Sequence, residues 1–124
     1  MTQFKKLPVM LGLLAVTSLV STQVLAHAHL STTEPAPNSV LSQTPKAVTL
    51  TFTEQPEPAF SGIDLLHANG SPVKAGKLSV DPATKTTLQL PLTAPLEKGE
   101  YQVNWHVLSV DGHKTKGSYR FTLR

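Results

Sequence analysis

The sequence predicts an all-β protein, a Greek-key β-sandwich of about seven strands, on three observations. Apolar and polar residues alternate with period two through Val48-Thr49-Leu50-Thr51-Phe52 and again through Tyr101-Gln102-Val103-Asn104-Trp105-His106-Val107. That is the spacing of a strand with one buried face. Turn formers, among them Asn69-Gly70, Asp81-Pro82 and Asp111-Gly112, punctuate the chain, and all of its 10 prolines but Pro8 are spread between residues 35 and 95, where they fit loops and sheet edges. No helical period follows residue 30.

Taken in order, residues 1–26 read as a signal peptide. Lys5 and Lys6 form a basic start, Leu7 to Val20 is largely apolar, and Val24-Leu25-Ala26 places small residues at the −3 and −1 positions. The apolar run is shorter than the roughly 20 residues of a spanning helix, so the chain is not expected to be membrane-embedded after cleavage. Ala26-His27-Ala28 also satisfies a cleavage pattern, so the cut falls after Ala26, the favoured reading, or after Ala28. Residues 27–124 form one domain. A first strand precedes Pro35 and Pro37. The Val48–Phe52 strand continues its inward series to Glu54 and stops at Pro56, which sets a carboxylate at the end of the sandwich beside the core. Ile63–Leu66 is a short strand leading to Asn69-Gly70, and Leu78–Val80 and Thr86–Leu90 flank Asp81-Pro82. Gly99 opens the long strand with an aromatic core face. Tyr119, Phe121 and Leu123 mark the last one.

Composition narrows the chemistry. The chain has 11 Lys and Arg against 8 Asp and Glu, and Lys5 and Lys6 leave with the leader, so the domain is close to neutral. The lysines are scattered, with no basic stripe interleaved with aromatics, and no nucleic-acid partner is expected. There is no cysteine, and Met1 and Met10 both lie in the leader. A metal site in the domain has neither thiolate nor thioether, the soft ligands that select copper(I). It has to be built from imidazole, amine and carboxylate.

Cleavage after Ala26 turns His27 into a free amino terminus. An α-amine beside the Nδ1 of its own imidazole is a chelate suited to a borderline ion such as copper(II). Both nitrogens must be unprotonated to bind, so acid weakens the chelate. His29 supplies a competing mode: a histidine third from a free terminus can wrap copper(II) with the amine, two deprotonated amides and its own imidazole. Asp111 and His113, two apart in Ser109-Val110-Asp111-Gly112-His113, can converge on one ion, with Gly112 allowing a tight turn. Read alone, Asp111-Gly112-His113 is also an ordinary polar turn. Glu54 can equally be a solvated strand end, and zinc suits a mixed histidine and carboxylate site. His67 reads as a hairpin-loop residue, His106 as a surface residue and Trp105 as a core anchor.

The amino-terminal H-A-H-L, the L-T-F-T-E strand, the following P-A-F-S-G, the G-E-Y-Q-V-N-W-H-V-L-S-V-D-G-H block and the closing G-S-Y-R-F-T-L together resemble the CopC family of periplasmic copper-binding proteins. The resemblance implies an immunoglobulin-like or cupredoxin-like sandwich, a periplasmic location, a role in copper resistance or uptake, and one copper(II) per chain. Its ligand set, carried over by motif, is His27, Glu54, Asp111 and His113; His29 stays the alternative ligand on the spacing alone. Without methionines in the domain the chain is similar to the copper(II)-only branch. It departs from the family in Lys114-Thr115-Lys116, where a proline and an apolar residue usually follow the histidine. Two added cations should weaken binding slightly, within the limits of screening.

The expected function is that of a copper(II) carrier or buffer, handing the ion on to a partner such as an inner-membrane copper transport protein. A copper monooxygenase also uses a terminal-histidine chelate, but it needs an open coordination position and a broad substrate face. A metal-free sandwich used for protein interaction is the third reading. No G-x-S-x-G elbow, H-E-x-x-H helix or phosphate loop occurs, so no catalytic residue is assigned and the chain is not expected to be an enzyme.

Overall fold

The period-two segments form two sheets in the computed structural model, which describes residues 29–124. The leader predicted over 1–26 and the ligand candidate His27 lie outside the described residues. Eight strands follow in order: β1 Leu30–Glu34, β2 Val40–Leu41, β3 Ala47–Phe52, β4 Gly62–His67, β5 Ser79–Val80, β6 Thr87–Pro91, β7 Gly99–Leu108 and β8 Lys114–Leu123. One sheet has the order β1-β3-β6-β5 and the other β2-β8-β7-β4. All pairings are antiparallel except β2 with β8.

The inward faces carry out the alternation. Val48, Leu50 and Phe52 from β3 and Leu88 and Leu90 from β6 meet Tyr101, Val103, Trp105 and Val107 from β7 in one buried cluster. One aromatic contact ties the layers and another lies within the second sheet. Phe52 meets Trp105 edge-on at 5.2 Å between ring centres, and Tyr101 stacks on Phe121 at 5.5 Å. The Tyr101 hydroxyl donates to the backbone carbonyl of Glu97 at 2.5 Å, a tie from the start of one strand to the loop before it that sandwich folds use at their corners.

Two details differ from expectation. The last strand begins at Lys114, ahead of the Tyr119 start read from the apolar series. Its inward positions before Tyr119 are Thr115 and Gly117, which give no hydrophobic signal, and pairing with β7 from Leu108 to Gly99 extends it regardless. Second, Pro58–Phe60 is a single 3₁₀ turn with proline in its first positions, too short to leave a period. Among the described residues no helix is long and apolar enough to cross a membrane.

Candidate metal centre

The turn between β7 and β8 is a three-residue hairpin loop. Ser109 N donates to His113 O at 2.9 Å and Gly112 N donates to Ser109 O at 2.8 Å. This is a tight turn closed by one left-handed residue, and Gly112 takes that place with φ +93°. Asp111 and His113 do meet, but through the turn and not through extended geometry. One carboxylate oxygen, Asp111 Oδ1, accepts from the Ser109 hydroxyl and from His113 N at 3.2 Å, and stands 3.1 Å from His113 Nδ1. A carboxylate held against one imidazole nitrogen sets the ring's orientation and turns Nε2 towards a metal.

The electrostatics follow from those contacts. The donated Ser109 hydroxyl holds the Asp111 carboxyl below the usual carboxylate range, desolvation opposes it, and the backbone and ring of His113 add to the lowering. Ser109 itself is buried. It continues the inward series Tyr101, Val103, Trp105, Val107, so a hydroxyl had to be accommodated at the rim of the core. That continuation was the available signal for a residue that now orients the acid.

The other half of the site comes from β3 and β1. Beyond Phe52 the chain leaves the first sheet and pairs with the end of β7: Val110 N donates to Gln55 O at 3.0 Å, Glu57 N donates to Leu108 O at 2.7 Å, and Pro56 bridges Ser109. Glu54, half-buried, therefore precedes the segment that abuts the Asp111 turn. On its other side β3 pairs with β1, Leu30 opposite Phe52. His29 N donates to the Thr53 hydroxyl at 2.9 Å, and Thr53 N donates to His29 O at 2.9 Å. Antiparallel pairing thus starts β1 at the end of the sandwich where β3 stops.

The structure thus brings Asp111 and His113 into contact and sets Glu54 and His29 at the same end of the sandwich. It does not gather them further: among the described residues no three His, Cys, Asp or Glu side chains cluster tightly enough to hold a metal ion. His106 is exposed as expected, whereas His67, read as a loop residue, ends strand β4 opposite Tyr101, its carbonyl accepting from Gly70 N at 2.9 Å across the turn. Lys114 and Lys116 lie on the outward positions of β8, along an open groove with Phe60 and His106.

A family model described as the CopC domain matches residues 30–124. The chain is 42% identical over 108 residues to protein YobA of Escherichia coli (strain K12), covering 87% of each chain. It is 31% identical over 112 residues to copper resistance protein C of Xanthomonas campestris pv. juglandis, covering 86% of this chain and 87% of that one. The crystal structure of CopC from Methylosinus trichosporium OB3b superposes with a TM-score of 0.73 at 34% identity, over 78% of this chain and 93% of that one. The fold and these likenesses agree: the chain belongs to the CopC family and is a copper-binding protein.

Proposed function

We propose that this protein carries or buffers copper(II) in the periplasm, holding one ion between its mature amino terminus at His27 and the Asp111–His113 turn. In this reading the copper plane takes the amine and imidazole of His27 together with the His113 ring. Asp111 orients that ring and, with Glu54, offsets the charge of the ion. The observation that carries the reading is the antiparallel pairing of β1 with β3 while the β3 exit pairs with residues 108–110. Those two pairings bring the chain at residue 29, Glu54 and the turn to one end of the fold. The ligands are nitrogen and oxygen, a set that suits copper(II), and the domain offers copper(I) no sulfur. Transfer to an inner-membrane copper transport protein follows as the fate of the cargo.

An electron paramagnetic resonance titration of copper(II) into protein beginning at His27, with its mass confirmed, tests this. One tight equivalent with a nitrogen-rich tetragonal signal is expected, altered both by His113→Ala and by an added amino-terminal Met. Absence of tight binding would leave an interaction sandwich in its place.

A further inference from the structure

We propose that Thr53 is a positioning residue that decides which of two copper(II) chelates the amino-terminal segment forms. The proposal rests on the His27 reading above and adds to it a reason why the rival chelate at His29 loses.

Residue 29 lies just before β1, where a strand end ordinarily frays. Thr53 grips both of its backbone groups. The Thr53 N–H donates to His29 O, and the Thr53 hydroxyl accepts the His29 N–H, each at 2.9 Å. The hydroxyl stands where a strand carbonyl would otherwise continue the ladder. The rival chelate needs the same atom. To wrap copper with the amine, two amides and the His29 imidazole, the amide nitrogen of His29 must release its proton to solvent and bind the ion. A nitrogen cannot donate its hydrogen to Thr53 and coordinate copper at once. The wrapped form also curls three consecutive residues around one ion, which is incompatible with residue 29 lying alongside Thr53. Holding residue 29 in the ladder therefore works against the four-nitrogen mode.

Thr53→Val tests this, since valine keeps the β-branched shape and strand preference and removes only the hydroxyl. A net hydrogen bond of about 0.5–1.5 kcal/mol corresponds to roughly two- to tenfold in a ratio of populations. The probe is one equivalent of copper(II) on protein beginning at His27, read by electron paramagnetic resonance. Thr53→Val is expected to raise the ratio of four-nitrogen to His113-dependent signal by about that factor. The new component should survive His113→Ala and vanish with His29→Ala, while Thr53→Ser, which keeps the hydroxyl, should restore the original spectrum. A Thr53→Val spectrum identical to that of the unmodified protein overturns the proposal and leaves the His27 reading standing. An unmodified protein whose signal already ignores His113→Ala overturns both.

Discussion

Gly117 faces Trp105 across the β7–β8 ladder. A methyl group added there would sit 2.7 Å from Cζ2, 2.9 Å from Cε2 and 3.0 Å from Nε1 of the indole. Carbon atoms do not approach that closely, so for Gly117→Ala the ring has to move. It has little room: Trp105 is 9% exposed and lies edge-on against Phe52 at 5.2 Å. Overpacking of this kind costs about 1–3 kcal/mol. In the opposite direction, alanine restricts the unfolded chain and gains about 0.5–1 kcal/mol in a strand. The sterics win, and Gly117→Ala should destabilise by about 1–2 kcal/mol. At a urea dependence of about 1.5 kcal/mol per molar, the unfolding midpoint falls by about 1 M. The chain's 1 tryptophan gives a second readout, because a displaced indole changes its emission. Gly62→Ala is the paired control. Its methyl would lie 2.6 Å from His106 Cε1, but that ring is exposed and can swing away, so the change should stay within about 0.5 kcal/mol. If Gly117→Ala unfolds at the same urea concentration with unchanged emission, the indole does not fill that space and the packing argument fails.

Three further outcomes rest on the same kind of contact. The Tyr119 hydroxyl is sealed from solvent with no well-aligned partner among the described residues, and burial pushes its phenol up to about 12, with Thr33 pulling the other way. The folded value lies above the unfolded ~10, so this stabilisation is complete below pH ~10 and is lost as pH rises through about 12; ultraviolet titration of tyrosinate should show the late midpoint. Tyr119→Phe, which removes a buried and poorly hydrogen-bonded hydroxyl, should be neutral or stabilising by about 1 kcal/mol in urea unfolding. Ser109→Ala should raise the Asp111 carboxyl towards the ordinary range, read by carboxyl-carbon NMR; the lowered value means a stability contribution present above ~3.9 and lost as pH falls through the folded value, and an unmoved titration would acquit Ser109. Gly112, at φ +93° with nothing within 4 Å of an added methyl, isolates backbone strain. Gly112→Ala should cost about 1–2 kcal/mol, and Gly112→Asn less, because asparagine tolerates the left-handed region.

The fold was legible wherever a strand had one greasy face. Val48 to Phe52 and Tyr101 to Val107 announce themselves, and Trp105 proves to be the core anchor it was read as. The first half of β8 was silent because Thr115 and Gly117 occupy its inward positions, and only pairing with β7 reveals it as strand. At the site, Asp111 and His113 were legible as a pair because chemistry-bearing residues flank a glycine. What the spacing could not express is the mechanism of their approach, a hooked carboxylate supported by the Ser109 hydroxyl. Thr53 was invisible for a similar reason. It is one threonine among several in and beside β3, and its importance comes from which residue of another strand it faces.

Register decides that last point. Along β1, Glu34 opposes Thr49, Thr33 opposes Leu50 and Thr32 opposes Thr51; a regular ladder would next set Ser31 against Phe52 and Leu30 against Thr53. Instead the register shifts between Leu30 and Thr32, so that Leu30 opposes Phe52. Because side chains alternate strictly, a slip of one residue exchanges the two faces of a strand. The bulge at Ser31 thus turns Leu30 inward, where it packs against the core, and delivers His29 to Thr53. Without it, His29 would be paired one step further along β3, opposite Glu54, and Leu30 would face solvent. Bulges bend a strand and re-aim the chain beside them, and the chain beside this one is the amino-terminal segment that bears the candidate ligands His27 and His29.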